Sequence, residues 1–138
     1  MIVATPRFDD VFEGDELGPV SLFLSKDQVR AYARAIDHYY PRFTDDEGAR
    51  REGLPGMITP GNMSMGLLTT LVDGWAGPRR LRRIGTTFRG LVLPDRTIRL
   101  CGAVTQKDED ARSAELDLWI ESDEGERLVI GTATVALD

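Results

Sequence analysis

The apolar residues Val29, Tyr32, Ala33 and Ile36 recur at i, i+3, i+4 and i+7, while Lys26, Arg30 and Arg34 fall on other faces. That spacing makes one apolar stripe and predicts an amphipathic helix. Its start lies in Ser25-Lys-Asp-Gln28, a capping box in which hydroxyl and amide satisfy backbone N–H groups left unpaired at a helix end. Residues 1–24 ahead of it read as a polar arm leading into a short strand around Val20–Leu24. After the helix the pattern breaks into an irregular loop through Pro41, and residues 45–52 fit a short helix before Gly53-Leu-Pro-Gly56. A second long helix is expected after Pro60-Gly61, running to Trp75. Met63, Met65, Leu67, Leu68, Leu71, Val72 and Trp75 give it an apolar face so wide that burial on most sides is expected.

From Leu81 the periodicity changes. Strands are expected over residues 84–93, 97–104, 114–121 and 128–137. The clearest is Glu115-Leu-Asp-Leu-Trp-Ile-Glu121, which alternates polar and apolar as a half-buried strand does. Pro94-Asp95 and Asp123-Glu-Gly125 read as turns. A buried helix wrapped by long antiparallel strands, with a shorter helix and a loop ahead of it, is an α+β arrangement. At 138 residues the chain fits one domain over its whole length.

Composition narrows the partners. With 41% hydrophobic and 29% charged residues the chain reads as soluble and globular, and a net charge of -6 repels polyanions, which argues against nucleic acid and anionic membrane. The single cysteine, Cys101, forms no internal disulfide and belongs to no metal-ligand pattern, so a reducing compartment, the cytoplasm, is expected, with no metal and no cofactor. The N-terminus shows neither a signal peptide's apolar core nor a spanning segment. The acidic runs Asp45-Asp-Glu47 and Asp108-Glu-Asp110 read as solvated loops. A basic run, Arg79-Arg-Leu-Arg-Arg83, stands out in this acidic chain. It suits phosphates or an acidic protein face, or else solvated arginines that discourage strand-edge pairing.

His38 is the only histidine, placed where the first helix runs into its proline-containing loop, with Asp37 beside it and phenols at Tyr39 and Tyr40. Its ordinary pKa lies nearest neutrality, so proton transfer is chemically open, and packing against the helix end is the alternative.

Tyr32-Ala-Arg-Ala-Ile-Asp-His-Tyr-Tyr-Pro41 resembles, without gaps, the motif Phe-Ala-x-x-Ser-Gly-Asp-x-Asn-Pro of the MaoC-like dehydratases. Phe43, Asp45 and Ala49 continue onto that motif's His-x-Asp-x-x-x-Ala. Gly53-Leu-Pro-Gly-Met-Ile-Thr-Pro-Gly61 and Arg89-Gly-Leu-Val-Leu-Pro94 look like the family's loop into its central helix and its proline-containing strand turn. The resemblance spans about Asp10 to Leu137. It implies a hot-dog fold and hydration or dehydration of acyl chains held as thioesters on coenzyme A or acyl carrier protein. It also implies pairing into a homodimer, or a heterodimer with a related chain. The departures concern the chemistry. The family's catalytic aspartate falls on His38, its asparagine on Tyr40 and its catalytic histidine on Phe43, so both members of the usual dyad are replaced. Sliding the alignment by one residue puts Asp37 on the aspartate position and Arg42 on the histidine position, and breaks the match at Pro41 and Asp45. Gly61 matches the glycine whose amide polarises the thioester carbonyl.

A hydratase or dehydratase would use His38 as acid/base, Asp37 or Tyr40 to assist it, and Gly61 to hold the enolate oxygen. Substrate contacts would come from Tyr39, Phe43 and Asn62, and from Arg79, Arg80, Arg82 and Arg83 along a tunnel approaching Gly61 from their side. Two other functions stay open: a binding subunit that lends shape to a catalytic partner, and a thioesterase in which Asp37 or Glu52 activates water.

Overall fold

The computed structural model describes residues 5–138, so residues 1–4 of the expected polar arm lie outside it. A single 3-10 turn (Phe8–Asp10) leads to β1 (Glu16–Leu24), α1 (Lys26–Ala35), α2 (Pro41–Thr44), α3 (Asp46–Arg51) and α4 (Gly61–Ala76). Then come β2 (Leu81–Phe88), β3 (Arg96–Asp108), β4 (Ser113–Ser122) and β5 (Arg127–Ala136). The strands form one sheet in the order β1-β3-β4-β5-β2, every neighbouring pair antiparallel.

The core follows from strand alternation. Ala114, Leu116, Leu118 and Ile120 of β4 are buried, while Glu115 and Asp117 between them face solvent. Ile98, Leu100 and Val104 of β3 and Val129, Ala133 and Val135 of β5 complete the inner face. Across it lies α4, buried through Ser64, Leu68, Leu71, Val72 and Ala76 and touching β1, β2, β3 and β4. Burial of its apolar side chains is the main force seating it, at roughly 25 cal/mol for each Å² of apolar surface removed from water. The α+β architecture is thus the expected one.

Several local expectations are corrected. The central helix is buried along one face only, because Asn62, Gly66, Thr70, Asp73 and Gly74 put small or polar groups on the other, which is exposed. The first strand is nine residues long rather than short. Its register with β3 shifts between Leu17 and Val20, around Gly18-Pro19, and that bulge hides the alternation from the sequence. The strand expected over residues 84–93 ends at Phe88. Beyond it the Arg89 and Gly90 amides both donate to the Leu128 carbonyl, and the chain leaves the ladder. The stretch after α1 is not wholly irregular either, since Pro41 opens the short helix α2 from its first position, where a missing N–H costs nothing.

Candidate active site

α1 begins as its sequence dictates. Ser25 Oγ accepts from the Gln28 amide at 3.1 Å and Gln28 Oε1 accepts from the Ser25 amide at 2.9 Å. Its other end is closed by a Schellman motif. The His38 amide donates to the Ala33 carbonyl at 2.8 Å and the Asp37 amide to the Arg34 carbonyl at 3.2 Å, and Asp37 takes a left-handed φ of 59°. That conformation favours glycine. Asp37 occupies the glycine position of the motif quoted above, so the backbone fits the gapless alignment and not the slid one.

This motif fixes the backbone from which His38 projects. The imidazole is exposed, its ring 5.8 Å from that of Tyr40 and tilted by 33°, and the Tyr40 amide donates to the His38 carbonyl at 2.9 Å. Tyr39 lies under the Arg34 guanidinium at 4.8 Å. Tyr40, Pro41, Arg42, Phe43 and Glu52 line a cleft of about 360 Å³. Phe43 there is half-buried, and Glu52 is paired with Arg42 at 3.1 Å.

The second half of the site is the start of α4. The Ile58 amide donates to the Arg42 carbonyl at 2.8 Å and the Thr59 amide to the Val92 carbonyl at 2.9 Å, which ties the approach to α4 both to the His38–Phe43 segment and to the β2–β3 loop. Gly61 opens the helix. The Met63 and Ser64 amides donate to the Pro60 carbonyl, while the Gly61 and Asn62 amides have no partner within the helix and carry the positive end of its dipole, suited to a developing oxyanion. The Phe88 ring lies over this glycine so closely that a Cβ there would stand 2.7 Å from Cζ. The glycine leaves room for this contact, and any larger residue would displace the half-exposed ring. Asn62, the next residue, is exposed. Close by in sequence and strand register, the buried hydroxyls of Thr59, Ser64 and Thr86 have no hydrogen-bond partner among the described residues.

Sequence reasoning missed Asp46 and Phe88. Asp46 is no solvated loop residue: its carboxylate accepts from Lys26 Nζ at 2.8 Å and from the Met57 amide at 2.9 Å. The Lys26 hydrogen bond, then the Met57 amide, hold its pKa below the usual carboxylate value. Asp45, beside it, caps α3 by accepting from the Gly48 amide.

The arginine run sits at the other end of α4. Arg80 donates to the Pro6 carbonyl and Arg82 to the Arg79 carbonyl, Arg79 has a left-handed φ of 66°, and Arg83 is exposed. At 1.5 Å per helical residue α4 rises roughly 22 Å from Gly61 to Ala76, and the run begins just beyond that far end before β2 turns back towards Phe88. Cys101 is buried and donates to Glu121 Oε1 at 3.3 Å. Burial first, and that carboxylate second, push its pKa up to about 11, so it is a poor nucleophile at neutral pH.

Comparison with known proteins gives one consistent picture. The profile described as "MaoC like domain" matches residues 11–122. A solved structure titled "MaoC-like dehydratase" superposes with a TM-score of 0.91 at 26% identity, covering 97% of this chain and 43% of that one. This chain therefore spans less than half of that protein. The (R)-hydratase from A. caviae involved in PHA biosynthesis superposes at 0.85 with 21% identity, covering 93% of this chain and 98% of that one. The ChsH1-ChsH2 complex from Mycobacterium tuberculosis gives 0.84 at 19% identity, with 92% and 98% covered. No curated protein matches. The fold is a hot-dog fold.

Proposed function

Because the chain belongs to the MaoC-like domain family, we propose that it is a hydro-lyase that adds water to, or removes it from, an acyl group held as a thioester on coenzyme A or carrier protein. The observation that carries this reading is the start of α4, where the Gly61 and Asn62 amides have no partner within the helix and the loop leading to Gly61 is hydrogen-bonded, through the Ile58 amide and the Arg42 carbonyl, to the segment that follows His38. The thioester carbonyl would sit at the Gly61 amide, which stabilises the enolate as charge moves onto oxygen. His38 would take a proton from water as its oxygen adds to the β-carbon, then return it to the α-carbon, so no net proton is consumed. Tyr40 and Asp37 are the groups beside it, while Tyr39, Phe43 and Asn62 would border the acyl group. The enzyme works as a hot-dog pair in a reducing compartment, where its unpaired thiol survives.

A second reading has its own support. A half-buried phenylalanine fills the position where the family carries its catalytic histidine, and one of the similar structures is a complex of two differently named chains. This chain would then be the binding subunit of a heteromeric hydratase.

Turnover separates the two. With crotonyl-CoA as probe, His38→Ala is expected to lower the hydration rate by roughly a hundredfold or more while thermal unfolding stays unchanged, since a positioned acid/base group contributes about that much. If the wild-type protein hydrates no enoyl thioester alone and His38→Ala leaves a reconstituted complex fully active, the chain is the binding subunit.

A further inference from the structure

Where the start of α1, the end of α3 and the start of β3 meet there is a pocket of about 170 Å³, apart from the cleft beside His38. Lys26, Arg50 and Arg96 place cations on its wall against the carboxylate of Asp46. In a chain of net charge -6 this is a local reversal of sign. Part of it is neutralised within the fold. Lys26 Nζ stands 2.8 Å from Asp46 and 3.9 Å from Asp95, so the ammonium already has its counter-charges. The guanidinium groups do not: no carboxylate among the described residues is ion-paired with Arg50 or Arg96.

Arg50 is tied to the pocket by a bond from its Nε to the Pro55 carbonyl at 3.3 Å, which leaves its Nη donors without a partner among the described residues. Gly56 keeps the space beside them clear. A Cβ there would stand 3.1 Å from Asp46 Oδ1 and 4.0 Å from Arg50 Nη2, in the gap between carboxylate and guanidinium. Arg50 and Arg96 come from segments far apart in the sequence, yet the fold directs both to one concavity. Their repulsion there has no internal counterweight, and a bound anion removes it.

The chemistry of the wall selects the anion. A phosphate group presents three free oxygens, enough for both guanidinium forks and for Lys26, whereas the two oxygens of a carboxylate are used up by one fork. Size narrows it further. At about 30 Å³ for each water's share of the liquid, the pocket has the volume of roughly six waters, which admits a phosphate group with a few further atoms and not a nucleotide.

We propose that this pocket binds a small phosphorylated ligand, a phosphomonoester or inorganic phosphate, held by Arg50 and Arg96 and completed by Lys26. Met57 belongs to the wall and its amide is bonded to Asp46, and the chain runs from it through Ile58, Thr59 and Pro60 to Gly61. Occupancy therefore ties the start of β3 and the end of α3 to the loop that enters α4. The site stands whether or not the chain is a hydro-lyase.

Inorganic phosphate, titrated into the wild-type chain at constant ionic strength, is the probe. One phosphate is expected to bind per chain and to raise Tm with concentration, because only the folded chain holds the site. Arg50→Gln/Arg96→Gln should bind at least tenfold more weakly, since one charge-assisted hydrogen bond already contributes about that factor. Arg82→Gln/Arg83→Gln removes the same charge elsewhere and should bind as wild type does. Amide NMR of the wild type needs no variant: phosphate should shift the signals of Gly56, Met57 and Arg96 before any others. No binding at tens of millimolar, an equal loss in the Arg82/Arg83 variant, or shifts confined to other residues overturns the proposal. Coenzyme A and 3′-dephospho-coenzyme A, titrated in parallel, identify the source of the phosphate. Tighter binding of coenzyme A that disappears in Arg50→Gln/Arg96→Gln assigns the phosphomonoester to the coenzyme, and equal binding of the two assigns the pocket to a separate phosphorylated ligand.

Discussion

Asp37 holds a left-handed backbone at the end of α1, and its carboxylate stands beside carbonyls that already carry the negative end of the helix dipole. Both facts penalise aspartate relative to glycine. Asp37→Gly is therefore expected to stabilise the protein by about 1 kcal/mol, raising Tm by roughly 2–8 °C. A Tm equal to or below wild type would show that the carboxylate contributes something the backbone argument omits. Turnover of the same variant tells whether Asp37 assists His38 as well as closing the helix. The capping box at Ser25 was legible in the sequence because its partners lie three residues apart. The Schellman end was not, because the usual signal there is glycine and this chain carries Asp37 at that position. Phe88 was equally hidden: its contact with Gly61 joins positions far apart in the chain, and no periodicity marks it.

Among the elements, α1, α4 and the strands β3 to β5 could be read from periodicity alone, since long stripes and alternations average over local exceptions. The short pieces could not. α2 has four residues and no buried side chain, so it carries no apolar pattern, and its existence depends on Pro41 and on tertiary contacts. The tie between these pieces is Asp46, which joins the start of α1 through Lys26 to the loop before α4 through Met57, 20 and 11 residues away. This tie has a pH signature. The folded pKa of Asp46 lies below its unfolded value, so its contribution is complete above the ordinary carboxylate pKa of about 4 and is lost as pH falls through the lower, folded value. Asp46→Asn should therefore be less stable than wild type at pH 7, with the gap closing below pH about 4. Equal unfolding midpoints for the two proteins at neutral pH would mean that the ion pair contributes nothing.

In the whole molecule, one helix and one sheet share a core, and the proposed chemistry lies where the start of that helix meets the last residue of an edge strand. Three hydroxyls, on Thr59, Ser64 and Thr86, are buried in this part of the chain without a hydrogen-bond partner among the described residues. A lone buried hydroxyl costs of order 1–3 kcal/mol in lost hydration, so deleting it should not weaken the fold as deletion of a buried methyl would. Ser64→Ala and Thr86→Val are accordingly expected to unfold at the same or higher denaturant concentration than wild type; a marked drop would show that the hydroxyls are satisfied after all. A library sorted for thermal resistance would discard these oxygens, whereas one sorted for turnover has reason to retain them if they serve the substrate. Sequencing the survivors of both sorts would then map, residue by residue, how far the working end of the central helix departs from what cohesion alone would choose.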